Sequence, residues 1–156
     1  SLFSGRQRQL VRIAKLYPDV KIWGWLPPGV KLFPGLKRCY RGEAWGAKLV
    51  KIYRQSLIGL NLAPDHMSQG GNIRGFEIAA AGALLLTDQP NPDWYTPDQE
   101  AVAFHGSKDC SQKIDFYLKN KSLREDIAIR GRQRTLKNHT YFKRFSRLIA
   151  YIRLHA

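Results

Sequence analysis

Apolar residues along this chain change their period several times, and each change predicts an element. Leu2 and Phe3 read as the end of a strand, after which Leu10, Ile13, Ala14 and Tyr17 recur at helical spacing. A Pro18-Asp19 break leads into a second predicted strand over 20–25, VKIWGW. Residues 27–41, rich in proline and glycine, read as loop. Trp45, Leu49 and Ile52 mark a helix ending near Gln55. The run 57–62, LIGLNL, has the unbroken apolar character of a strand covered on both faces. Gly70 and Gly71 permit a tight turn, Asn72 is a plausible N-cap, and Ile73, Phe76 and Ala80 then share one helix face. Gly82 closes that helix, residues 83–87 form the next strand and 102–104 a last short one. Helices near 108–119, 121–137 and 140–155 finish the chain, with a break at Asn138-His139.

Repeated strand–helix units predict a single α/β domain over 1–156. Its expected core is a Rossmann-like open parallel sheet with helices on both faces, followed by a helical C-terminal tail. Ligands of such sheets bind beyond the carboxyl ends of the strands. The loops expected there are 4–8, 25–35, 63–71 and 88–96. The third runs into the stretch 68–87, SQGGNIRGFEIAAAGALLLT. A glycine loop opening into a helix aims backbone N–H groups and the positive helix end at an anion. Glu77, about one turn in, serves a different partner, because a carboxylate accepts hydrogen bonds and sugar hydroxyls donate them.

Charge narrows the picture less than chemistry does. The net charge is +14, unevenly spread. Residues 1–60 carry +10 and 119–156 carry +9, while 61–118 carry −5. Basic ends of this kind attract polyanions or an anionic membrane face, and do not say which. No apolar run reaches the roughly 18–20 residues of a membrane span. Cys39 and Cys110 lack any disulfide or metal pattern and read as free thiols of a reducing compartment. A cytoplasmic protein is expected, and the basic surface would suit peripheral attachment at the inner face of the membrane.

Four segments, taken in order, carry a family resemblance: SLIGLNL, NIRGFEIAAAGALLLTD, EAVAF and DFYLKNKSLREDIAIRGRQRTLKNHTY. The resemblance covers about 45–141, and the central Arg-x-Phe-Glu-x-x-Ala-x-Gly is its most specific part. The chain resembles the C-terminal, donor-binding half of GT-B glycosyltransferases, in the group-1 domains typified by spore-maturation-type proteins. The resemblance implies a nucleotide-diphosphate sugar as donor substrate, no cofactor and no metal. Glu77 matches the second Glu of the family's Glu-x7-Glu motif, which contacts the donor ribose. The first acid of that motif falls at Gln69, a departure that bears on the sugar and on catalysis. The resemblance further implies that Arg6 and Arg8, in the loop after the first strand, meet the diphosphate. It places 38–41 at the edge of the base, with Tyr40 as a flanking ring. It also implies an N-terminal acceptor domain beyond Ser1, so that this half holds a donor without transferring from it alone.

Each candidate has an ordinary alternative. Glu77 could serve the helix dipole, and Arg74 is either a diphosphate clamp or a solvated charge. Arg6 and Arg8 are surface charges unless the resemblance holds. His66, beside the glycine loop, and Gln69 are weak catalytic candidates, since no nucleophile or second carboxylate accompanies them. His105 and His139 show no metal spacing. Trp23 and Trp25 read as core packing, and the last helix is expected to lay its apolar stripe (Phe142, Phe145, Leu148, Ile149, Ile152) on the domain. The donor-binding set is therefore Gly70, Gly71, Asn72, Ile73, Arg74, Glu77, Arg6, Arg8 and Tyr40. A non-enzymatic basic α/β module that binds nucleic acid or another polyanion is the rival reading, with no recognised nucleic-acid motif behind it. A nicotinamide site is disfavoured because LFSGRQRQ lacks the Gly-x-Gly-x-x-Gly turn.

Overall fold

A computed structural model of the chain describes residues 2–26, 29, 31–62, 72–88 and 90–155, with side chains from Arg8 onward. Helix α1 spans Leu2–Leu16, followed by a 3-10 turn at Pro34–Leu36 and helix α2 over Gly46–Arg54. Strand β1 (Ile58–Asn61), helix α3 (Ile73–Ala81), strand β2 (Leu84–Thr87) and strand β3 (Val102–Ala103) form the centre. Helices α4 (Gly106–Lys119), α5 (Lys121–Asn138) and α6 (Tyr141–His155) complete the chain.

The three strands are parallel in the order β1-β2-β3, with Asn61 beside Thr87 and Thr87 beside Ala103. Strand β2 is the middle one, and all four of its residues are buried. Side chains alternate across a strand. Leu84 and Leu86 therefore join Ile13, Val102, Phe104, Cys110, Ile114 and Ile127 on one face, beneath α1, α4 and part of α5. Leu85 joins Ile78, Ala79, Tyr95 and Ala101 on the other, beneath α3. The expected α/β class, a parallel sheet with helices on both faces, is what the chain adopts.

Helix α3 lies close on β1 because Gly59 has no side chain. A Cβ there would fall 2.3 Å from Cγ2 of the fully buried Ile78. Gly82 ends α3 in the left-handed conformation, φ +90°, as a C-capping glycine should. Both cysteines are buried and unpaired, and burial pushes the Cys110 thiol up to about 12.

Four expectations fail. Residues 2–3 are not the end of a strand but the first turn of α1, and with them goes the loop at 4–8. An isolated apolar pair does not distinguish the two periods, and the helix-forming run that follows it extends back over the pair. Residues 20–25 form no strand of the sheet. Ile22 instead makes a single parallel bridge to Tyr40, with Ile22 N–H donating to Cys39 and Arg41 N–H to Ile22. Helix α6 does not pack its apolar stripe on the domain: every described residue of it is exposed. Its side toward the domain carries Arg144, whose guanidinium lies 4.4 Å from the Phe76 ring and 5.6 Å from that of Trp94. Trp25 is likewise exposed, while Trp23 is half-buried under the ammonium of Lys48.

Candidate functional site

The carboxyl ends of β1 and β2 meet the first turn of α3. Asn72 has extended backbone angles, and its Oδ1 accepts the N–H of Arg74 at 3.0 Å. That cap satisfies one of the amides a helix start leaves without an intrahelical partner, and the rest of the turn keeps its positive character. Ile73 and Arg74 are exposed here, and Glu77 is half-buried one turn on.

Helix α3 presents two different flanks at this edge. On the flank toward α2, Arg74 and Glu77 both act electrostatically on Tyr53, whose hydroxyl is held above its usual range by burial first. Gly75 and Phe76 belong to the other flank. They line a narrow cleft with Asn61, Thr87, Asn91, Trp94 and Tyr95, and its enclosed volume is about 20 Å³. Asn61 is 6% exposed and lies at the floor, its Nδ2 donating to Thr87 Oγ1 at 3.2 Å. Oδ1 of the same residue has no partner among the described residues.

The aromatic wall of this cleft is braced from behind. The Phe76 ring makes tilted contacts, with centroids 4.9 Å from Trp94, 5.8 Å from Tyr95 and 5.1 Å from His139. The Tyr95 hydroxyl shares a 2.6 Å hydrogen bond with Thr135 on α5, and its pKa is pushed up to about 12 by desolvation. Arg134 donates to the Trp94 carbonyl at 3.2 Å and faces Glu100 at 3.8 Å. Glu100 in turn accepts the N–H of Thr96. Helix α5 thus fixes the segment after β2 in place.

The structure brings Asn72, Ile73, Arg74 and Glu77 together around the start of α3. His66, Gln69, Gly70 and Gly71 lie outside the described residues. Arg6 and Arg8 are carried on α1, which packs against α4 and the 34–36 turn and not in a loop after a strand. Tyr40 donates its hydroxyl to Gly24 at 2.7 Å, so that group ties two loops together. Arg38 donates to the Ala14 carbonyl near the end of α1, and Arg41 donates to Arg38 and Tyr40 carbonyls. Asn61, Thr87, Phe76 and Trp94 were not anticipated as site residues. A lone amide inside the apolar run LIGLNL is the signal that marks Asn61. Among the described residues no group of three His, Cys, Asp or Glu could hold a metal, and no helix is long and apolar enough to cross a membrane.

A model of the "Glycosyl transferase-like" family matches residues 6–150. Among solved structures the chain is similar to the C-terminal domain of a glycosyl transferase group 1 family protein (LpcC) from Francisella tularensis. The TM-score is 0.66 at 18% identity, over 88% of this chain and 80% of that one. No curated protein matches.

Proposed function

The chain belongs to the glycosyl transferase-like family, and we propose that the edge around the start of α3 holds a nucleotide-diphosphate sugar as the donor for glycosyl transfer. One observation carries this reading. A capped helix N-terminus opens where the parallel strands end, with an exposed guanidinium at Arg74 and a half-buried carboxylate at Glu77 on the same flank. The amides of the first turn and Arg74 suit the two phosphates, and Glu77 suits the paired hydroxyls of a ribose.

In mechanistic terms, negative charge grows on the departing diphosphate as its bond to the sugar breaks. Donors already aimed at that position stabilise the charge without having to reorganise. Arg74 and the α3 amides would supply that stabilisation with no metal. Gly70 and Gly71 would extend the anion cradle, and Gln69 and His66 would be the catalytic candidates of the same stretch of sequence. Tyr40 would border the base. Arg6 and Arg8 support this reading less, since α1 carries them. The acceptor would be brought by a further domain.

Calorimetric titration with UDP and GDP tests the reading. The native protein should bind one of them, unaffected by EDTA. Glu77→Ala should weaken that binding by about 1.5–3 kcal/mol, the range for a hydrogen bond to a charged group. No nucleotide binding, or equal affinity for native and variant protein, refutes the assignment.

A further inference from the structure

We propose that Asn61 is a specificity-determining residue of this site, its Oδ1, unpaired among the described residues, accepting a hydrogen bond from one hydroxyl of the sugar carried by the donor. The inference rests on the donor-binding reading above and deepens it.

Asn61 is 94% buried, at the last position of β1, and it lines the cleft together with Asn72 and Gly75 of the α3 N-terminus. Its amide nitrogen is committed to Thr87. The oxygen is shut away from solvent with no donor among the described residues. A buried acceptor left unmatched costs roughly 1–3 kcal/mol, so the group calls for a donor from outside the described framework. An acceptor does not attract phosphate, which offers no proton near neutral pH. The chemistry selects a hydroxyl instead.

The two flanks of α3 say which hydroxyl. Glu77 lies on the α2 flank, and the cleft lies on the flank bearing Gly75 and Phe76. The α3 amides stand between them. A diphosphate centred on those amides, with its ribose toward Glu77, sends its other end toward the cleft. That end is the sugar. The enclosed volume of about 20 Å³ admits one oxygen-sized group, since a single water needs roughly 10–15 Å³ by the same measure. One hydroxyl enters and the rest of the ring stays outside, against Phe76 and Trp94.

The experiment compares UDP and GDP with UDP-glucose and GDP-mannose, by calorimetry, on native protein and Asn61→Ala. The nucleoside diphosphate should bind both proteins within about twofold. The added affinity from the sugar should fall about tenfold in the variant, which is what one hydrogen bond of about 1.4 kcal/mol represents. If the variant fails to fold, the native protein is titrated with donor analogues that lack one sugar hydroxyl at a time. A single position should then lose about tenfold. The inference is overturned if the sugar adds no affinity in the native protein, if the added affinity is the same in Asn61→Ala, if a folded variant loses nucleoside diphosphate and sugar nucleotide alike, or if the deoxy series is flat. Absence of any nucleoside diphosphate binding by the native protein is a different result: it removes the donor-binding reading itself, and this inference with it.

Discussion

His139 links the end of α5 to the wall of the cleft, and its titration should be visible in stability. Its Nε2 lies 3.1 Å from the Trp94 carbonyl, and a carbonyl only accepts, so that nitrogen carries the proton of the neutral ring. Burial lowers the pKa. The bond to Trp94 opposes this, and Arg144, Arg134 and Arg147 lower it further. The unfolded chain therefore takes up a proton at higher pH than the native one. Stability is full above the unfolded value of about 6.5 and is lost as pH falls through the lowered native value. Thermal midpoints between pH 7.5 and 5.5 should drop in the native protein, and drop less in His139→Gln, which keeps a donor for Trp94. Equal drops would assign the pH dependence elsewhere. Such partners were not legible in the sequence. His139 follows a helix end, and only the fold puts it beside Phe76, some sixty positions earlier.

At the level of elements, the position of the site depends on how closely α3 can approach β1. Gly59 sets that distance. In Gly59→Ala the new Cβ would meet Ile78, which is fully buried and has no room to turn aside. The cost should be about 1–3 kcal/mol, typical of overpacking, and a thermal midpoint lower by several degrees. Gly75→Ala is the matched comparison. There a Cβ would make ordinary contacts of 3.7 Å with Asn61 and Leu85, within a helix that alanine favours. Its midpoint should stay level or rise, and a fall equal to that of Gly59→Ala would refute the packing argument. The centre of the fold was readable for physical reasons. LIGLNL and ALLLT are continuous apolar runs, and the Asn72 and Gly82 caps bound α3 where their chemistry places them. The two ends were misread where one pattern admits two partners. Leu2-Phe3 suits either period, and an apolar stripe on α6 does not say whether that stripe or Arg144 faces the domain.

Across the whole molecule, the charge and the proposed donor site make separable demands. Both ends of the chain are strongly basic, and the acidic middle contains α3 and the cleft. Exposed charges act over about 8 Å at physiological ionic strength and are screened beyond it. A polyanion bridging many of them releases many counterions, so its affinity should fall steeply with salt, with a slope of roughly −0.7 to −0.9 per phosphate contact. A nucleoside diphosphate at α3 has only two phosphates and gains affinity from amides and Glu77 at short range. Between 0.05 and 0.5 M NaCl, affinity for a single-stranded oligonucleotide should therefore collapse by several orders of magnitude. Affinity for UDP or GDP should change far less, and Glu77→Ala should weaken only the latter. Parallel losses for both ligands, indifferent to Glu77, would mean that the basic surface alone captures anions. That result would favour the polyanion-binding module over the donor site.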